Sequence, residues 1–441
     1  MEDSPQTLPP TLPQSREEAQ EVSPEVSIEK LVYGGEGLAR TPQGVVLVAG
    51  VLPGERASVQ MEAQRRGVRR GRLLQLLATS QDRIAADCPY FARCGGCHYQ
   101  HIRYERQLEL KQEILRECLE RVGKIHWEAP INVLAAEPWR YRNRTRLRME
   151  KTAAGFQAGY FELLSRRLCP VESCPISSPA INEVIQRLSQ DVGTSCFPDG
   201  RMEMELFASD TDQAMLATVY SPSAAPPDFG EKLMSLLPII QSVCWQKHPE
   251  SRRTTWGSGM ISYHVGEFHY RVSHDSFFQT NRFLLGEMIG AVTADLEGKT
   301  ALDLYAGAGF FTLPLTRRFE KVLAVESHPA TASDLVSNVG VVEMRARAYR
   351  ATAEKFLQTA SPGWDVVVVN PPRSGLTRPV AEQLCRLRPQ RLVYVSCDPT
   401  TLARDLAAIT PSEFRILSVH LVDQFPQTYH MESIVHLERV G

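Results

Sequence analysis

The chain has 441 residues, with 49 Lys and Arg against 51 Asp and Glu, a net charge of −2. Its 43% hydrophobic and 23% charged content is that of an ordinary globular protein, with length for roughly two or three cored domains. No stretch approaches the ~18 apolar residues of a membrane span, and the near-neutral total excludes binding to nucleic acid through bulk charge, so any basic surface must be local.

The opening MEDSPQTLPPTLPQSREEAQEVSP starts acidic and lacks an apolar h-region, so it does not read as a signal peptide. Its Pro, Gln, Glu and Ser predict a disordered tail over residues 1–24. Ten cysteines without a secretory signal point to a reducing cytoplasm, where clustered cysteines mean metal or catalysis rather than disulfides.

Residues 25–82 carry short apolar runs punctuated by Gly-Gly and Leu-Pro-Gly, as in VSIEKLVYGGEGLAR and GVVLVAGVLPGERASVQM. That pattern predicts a small β-barrel. QRRGVRRGR places Arg65, Arg66, Arg69, Arg70 and Arg72 on it as a basic cluster.

A central α+β region follows over residues 83–270. CPYFARCGGC sets Cys88, Cys94 and Cys97 in a C-x5-C-x2-C run, poor core material and good metal ligands. A closed site needs a fourth thiolate, and RRLCPVESCPIS offers Cys169 and Cys174; spacing leaves zinc and an iron–sulfur cluster equally open.

Residues 102–122 predict an amphipathic helix with Ile102, Leu108, Ile114, Leu115, Leu119 and Val122 inward and Cys118 among them. WRYRNRTRLRMEK then alternates Arg140, Arg142, Arg144, Arg146 and Arg148. As a strand it would project five guanidiniums from one face, with Tyr141, Leu147 and Met149 on the other. The carboxylates in that stretch do not match them in number, so nucleic-acid phosphate is the expected partner.

Residues 271–441 change pattern. From Thr300, ALDLYAG, KVLAVES, WDVVVVNPP and RLVYVSC are buried-strand runs separated by longer segments, the signature of a doubly wound parallel sheet. The first runs into DLYAGAGFFTLPL, where Gly307 and Gly309 allow a ligand close to the backbone. Glu326 ends the next strand, placed to accept ribose hydroxyls. A nicotinamide fingerprint would want a glycine at 312, where Thr312 stands, and Asp303 lies inside the first strand; both favour S-adenosylmethionine (SAM) over a dinucleotide.

YVSCDPTTLARD sets Cys397 between an apolar run and an Asp-Pro turn. Taken alone, that position suits a packed core thiol.

Together these motifs, with NPPR and HMES, resemble the TRAM-domain RNA uridine-C5 methyltransferases, over residues 25–440. The resemblance implies a Rossmann-like SAM-dependent methyltransferase domain, an OB-like TRAM barrel that binds RNA, and a [4Fe–4S] cluster in the central domain. It implies Cys397 as nucleophile and, from FPQTYHMESIVHLERV, Glu432 as general base. Gln279 in FFQTN, Tyr305 and Glu326 are the implied cofactor contacts, and with Gly307, Gly309 and Asn370 they make up the expected cofactor-binding set. Cys174 is the implied fourth cluster ligand, Cys169 the fallback.

One departure stands out. Asn370 in VVVVNPPRSG occupies a position where the family often has Asp. Its amide can donate to uracil O4 and accept from N3–H. The expected product is 5-methyluridine in structured RNA, with 23S rRNA first and tRNA second, made by a cytoplasmic monomer. The alternatives are methylation of an exocyclic amine, which would not need Cys397, and a non-catalytic iron–sulfur RNA-binding protein.

Overall fold

The computed structural model describes residues 24–62, 67–247, 253–342, 345–410 and 413–440. Among these, residues 24–30 with 37–80 form one compact unit, and residues 31–36 with 81–440 form another.

The first unit is a closed five-stranded barrel in the order Glu25–Leu31, Glu36–Thr41, Gly44–Ala49, Arg69–Ala78, Arg56–Met61. Alternation turns Val26, Ile28, Ala39, Val46, Val48, Ala57 and Val59 inward, and closure removes the exposed edges. Glu55 is fully buried, and its carboxylate accepts from the backbone N–H groups of Leu52 and Ser80 at 2.8 and 3.2 Å. Arg65 and Arg66 lie outside the described residues; Arg69, Arg70 and Arg72 sit on the Arg69–Ala78 strand.

The second unit holds two large sheets. A seven-stranded one runs Thr254–Gly257, Ile240–Gln246, Met215–Tyr220, Gly200–Ala208, Arg144–Thr152, Gly155–Phe161, Leu168–Pro170. It corrects the expected cationic stripe. Arg140 takes a left-handed backbone, φ 54°, which breaks the alternation, and the strand begins only at Arg144. The antiparallel neighbour sets Glu205 opposite Arg146 and Glu203 opposite Arg148. Arg146 donates to Glu205 at 2.7 Å, and Arg148 pairs with Glu203. The guanidiniums of Arg144, Arg146 and Arg148 also stack on Phe207, Tyr220 and Phe161 at 4.3–4.4 Å. The carboxylates missing from the local sequence arrive from MEMELFA, on the next strand.

The eight-stranded sheet runs Ala346–Arg350, Phe319–Glu326, Gly298–Leu304, Val366–Val369, Arg391–Ser396, Glu432–Arg439, Phe414–Val422, Ile131–Leu134. Its first five strands are parallel. Strand order reverses direction between Gly298–Leu304 and Val366–Val369, so the carboxyl ends of these strands open a crevice where ligands bind in such sheets.

The predicted helix spans Tyr104–Arg121 and packs on the Pro399–Ile409 helix. Its buried stripe is not purely apolar. Gln107 and Lys111 are buried with Ile114, Leu115, Cys118 and Leu119, whereas Val122, expected inside, is 45% exposed. Among the described residues no helix is long and apolar enough to cross a membrane.

Candidate active site

The Gly298–Leu304 strand delivers the glycine loop at the crevice. Tyr305, Gly307 and Gly309 all have positive φ, at 61°, 58° and 91°. A Cβ on Gly309 would meet the Leu335 side chain at 3.1 Å, so glycine there answers both backbone and space. Thr312, standing where a nicotinamide fingerprint has glycine, donates its hydroxyl to the buried Asp303 carboxylate at 2.6 Å. Burial pushes the Asp303 carboxyl up to about 7, against the Thr312 hydrogen bond and with the help of Glu326's charge.

Glu326 folds its carboxylate back over the loop. It accepts from the backbone N–H of Gly307 at 3.0 Å and from those of Ser327 and His328 at 2.7 Å each. The acidic residue expected to meet a ribose thus also fixes the turn.

Gln279 is brought in by a separate hairpin, Met260–Val265 with Phe268–Ser273. Phe278 packs on Phe310 with ring centres 5.6 Å apart. Asn143, fully buried, donates to the Gln279 carbonyl at 3.1 Å and to the Tyr263 hydroxyl at 2.9 Å. Asn370 follows the Val366–Val369 strand, and its N–H donates to the Leu304 carbonyl at 3.3 Å. The glycine loop, Gln279 and Asn370 therefore border one sheet edge.

Cys397 follows the Arg391–Ser396 strand, and Glu432 opens the antiparallel strand beside it, with Ser396 and Ser433 in register. Glu432 is buried, and burial pushes its carboxyl up to about 8 while the Arg373 guanidinium pulls it down. Burial and then the charge of Glu432 push the Cys397 thiol up to about 11, again opposed by Arg373. The influence is one-sided because the carboxyl ionises first, when the thiol is still neutral. Asp398 caps the Pro399–Ile409 helix, accepting from Thr400 and Thr401 N–H at 2.9 Å each.

Sequence reasoning did not assign Arg373 an influence on both Cys397 and Glu432, nor Tyr33 any role. Tyr33 hydrogen-bonds Asp398, and its ring meets Tyr429 edge-on at 5.6 Å. NPPR did carry a signal for Arg373, an exposed cation just beyond a sheet strand. Nothing local marked Tyr33.

With this geometry in place, comparison with known proteins is decisive. Residues 260–440 match the family model described as tRNA (Uracil-5-)-methyltransferase, and residues 23–74 match the TRAM domain. An uncharacterised RNA methyltransferase of Aquifex aeolicus is 33% identical over 93% of this chain and 97% of its own length. The chain belongs to the TRAM-containing RNA uracil-5-methyltransferases. A Thermotoga maritima RNA methyltransferase is 30% identical over 93% of this chain and 98% of its own. Among solved structures, the Pyrococcus abyssi tRNA (uracil-54, C5)-methyltransferase, bound to S-adenosyl-L-homocysteine, aligns with TM-score 0.74 at 24% identity, covering 94% of this chain and all of that one. The likeness shows a shared fold over most of the chain. The protein is a SAM-dependent RNA (uracil-5-)methyltransferase.

The methyltransferase's cysteine segment has its own geometry. Cys88, Cys94, Cys97 and Cys174 line a cavity of about 190 Å³ together with Arg142 and Tyr160. Cys169 does not line it; that side chain is fully buried in the core of the seven-stranded sheet. Burial pushes the Cys97 thiol up to about 12 and Cys94 up to about 11, and neighbouring cysteines add to both. Four thiols round one cavity suit a cationic four-thiolate centre in type and number. As placed, the described residues contain no group of three or more His, Cys, Asp or Glu side chains in metal-holding geometry.

Proposed function

We propose that the enzyme makes 5-methyluridine through a covalent Cys397–uracil adduct, with Glu432 as the base. The observation that carries this reading is the adjacency of the Cys397 thiol and the buried Glu432 carboxyl at paired strand ends, with the Arg373 charge acting on both, in the sheet that also carries the glycine loop.

Uracil C5 is a weak nucleophile toward a methyl sulfonium. The Cys397 thiolate forms a bond to C6, and the displaced electrons make the ring an enolate with carbanion character at C5. C5 then takes the methyl group as the donor's S–CH3 bond breaks, releasing S-adenosyl-L-homocysteine. Ionised Glu432 removes the C5 proton; that electron pair restores C5=C6 and expels the thiolate. Arg373 offsets the negative charge shared between thiolate and carboxylate. Tyr305, Gly307, Gly309, Glu326 and Gln279 bind the donor. Asn370 presents its amide to uracil O4 and N3–H. The uridine has to leave its stack to reach this edge, which favours loops.

Structured RNA of 23S rRNA type is the proposed substrate and tRNA the second, in the cytoplasm. The cavity-lining positions support Cys88, Cys94, Cys97 and Cys174 as ligands of a [4Fe–4S] cluster. Methyl transfer consumes no electron, so these cysteines would order RNA-contacting loops.

The test is a denaturing gel of anaerobically purified protein with SAM and 5-fluorouridine-substituted RNA, comparing 23S rRNA fragments with tRNA. Fluorine blocks proton removal and should trap a band that Cys397→Ala abolishes. Radiolabel entering ordinary RNA without any trapped band would instead favour methylation of an exocyclic amine.

A further inference from the structure

We infer that Gln427 and Gln107 are positioning residues for Glu432, forming a buried clamp that fixes the loop delivering the base. The inference rests on the role proposed above for Glu432.

The loop between the last two strands, residues 423–431, has a Thr428 turn of its own but is otherwise held from outside itself. Three consecutive carbonyls accept from other segments. Lys111 Nζ donates to Phe425 at 3.1 Å, the Tyr141 hydroxyl donates to Pro426 at 3.1 Å, and the His98 and Tyr99 N–H groups donate to Gln427 at 2.8 and 2.9 Å. Gln107 adds a reciprocal pair. Its Nε2 donates to Gln427 Oε1 at 3.0 Å, and its Oε1 accepts from the Gln427 N–H at 3.1 Å. Lys111 and Asp423 close the base of the loop as an ion pair with both side chains fully buried.

Gln427 is itself buried, at 3% exposure, and holds a left-handed φ of 67°. Side chains other than glycine rarely adopt that conformation, and it persists only where surroundings over-determine it. Glu432 follows five residues later as the first residue of its strand. A carboxylate that removes a proton must sit within hydrogen-bond reach of one carbon, and small misplacements cost large factors in rate. His98 and Tyr99 directly follow Cys97, so the clamp also ties the cysteine segment to the base.

Thiol addition and methyl transfer precede proton removal, so a misplaced base stalls the reaction at the methylated adduct. The test compares Gln107→Leu with wild type in single-turnover and multiple-turnover assays on ordinary RNA. Gln107→Leu should keep first-turnover methyl incorporation within about twofold. Steady turnover should fall about tenfold to a hundredfold, and a protein–RNA adduct should accumulate without fluorine. If methyl incorporation and turnover fall together with no adduct, the residue is merely structural and the inference is overturned. Should Gln107→Leu fail to fold, Gln427→Gly keeps the Gln427 backbone donors and acceptors, removes the Nε2–Oε1 bond and frees the left-handed backbone. Adduct accumulation in that variant supports the clamp, and wild-type partitioning overturns it. Failure of the parent reading looks different: the unaltered enzyme would give no trapped band with 5-fluorouridine RNA, which overturns both.

Discussion

Cys397 and Glu432 stand at neighbouring ends of two antiparallel strands, one residue beyond the Ser396–Ser433 register pair. The pairing of Arg391–Ser396 with Glu432–Arg439 is what brings together two residues far apart in sequence, the proposed nucleophile and the proposed base. Arg373 lowers the proton affinity of both.

Replacing one member of this pair should stop the reaction at a different point from replacing the other. Cys397→Ala should abolish methylation and adduct formation alike. Glu432→Gln should still add to uracil and accept methyl, then stall, so a covalent band appears on ordinary RNA while turnover falls by about 10²–10⁴. Denaturing gels with radiolabelled methyl donor check both.

The pair also sets a pH profile. With Glu432 pushed up to about 8 and Cys397 up to about 11, the reactive ionised forms become more abundant as pH rises. Values of kcat/KM should climb from pH 6 to 9 through a limb near pH 8 that Glu432→Gln removes. Arg373→Ala, which takes away the cation, should move that limb upward. Stability runs the other way. A carboxyl raised from 4.5 to about 8 holds its proton more tightly in the folded state, so its stabilisation is complete below about 4.5 and is lost as pH climbs through 8. Glu432→Gln should flatten this part of a denaturation-versus-pH curve.

Glu326→Ala leaves the Gly307, Ser327 and His328 N–H groups without their acceptor. We expect a loss of about 1–3 kcal/mol in chemical denaturation. Donor affinity by calorimetry should weaken at least about tenfold, because the loop geometry goes with the carboxylate.

Lys111→Met strands the buried Asp423 carboxylate, which also accepts from the Tyr104 hydroxyl at 2.9 Å. The expected destabilisation is about 3–5 kcal/mol, and adding Asp423→Leu should recover much of it. Urea titrations of the single and double variants measure this directly.

The arginine strand yields a prediction opposite to its local sequence. Glu203 and Glu205 neutralise Arg146 and Arg148. The double variant Glu203→Gln, Glu205→Gln should bind RNA more tightly at low salt. Its log K against log[salt] slope should steepen by about one to two units. An unchanged slope would mean that RNA does not reach this face.

Sequence by itself determined whatever depends on neighbours along the chain. Period-two alternation and turn residues predicted the barrel; apolar runs predicted the parallel strands. The glycine loop was legible because a turn needs glycine in place, and the cysteine segment because Cys88, Cys94 and Cys97 lie close together along the chain. Tertiary structure alone decided what depends on strand pairing. Register brought Glu203 and Glu205 to the arginines, left Cys169 in a core while Cys174 lines the cavity, and joined Ile131–Leu134 to the far edge of the eight-stranded sheet. It also set Cys397 beside Glu432. Gln107 and Lys111, polar residues on the inward stripe of an amphipathic helix, signalled a buried partner without naming it. Their partners, Gln427 and Asp423, lie more than 300 residues away. No local periodicity records which distant segment will satisfy a buried polar group; only the closed fold, which must leave few of them unpaired, decides it.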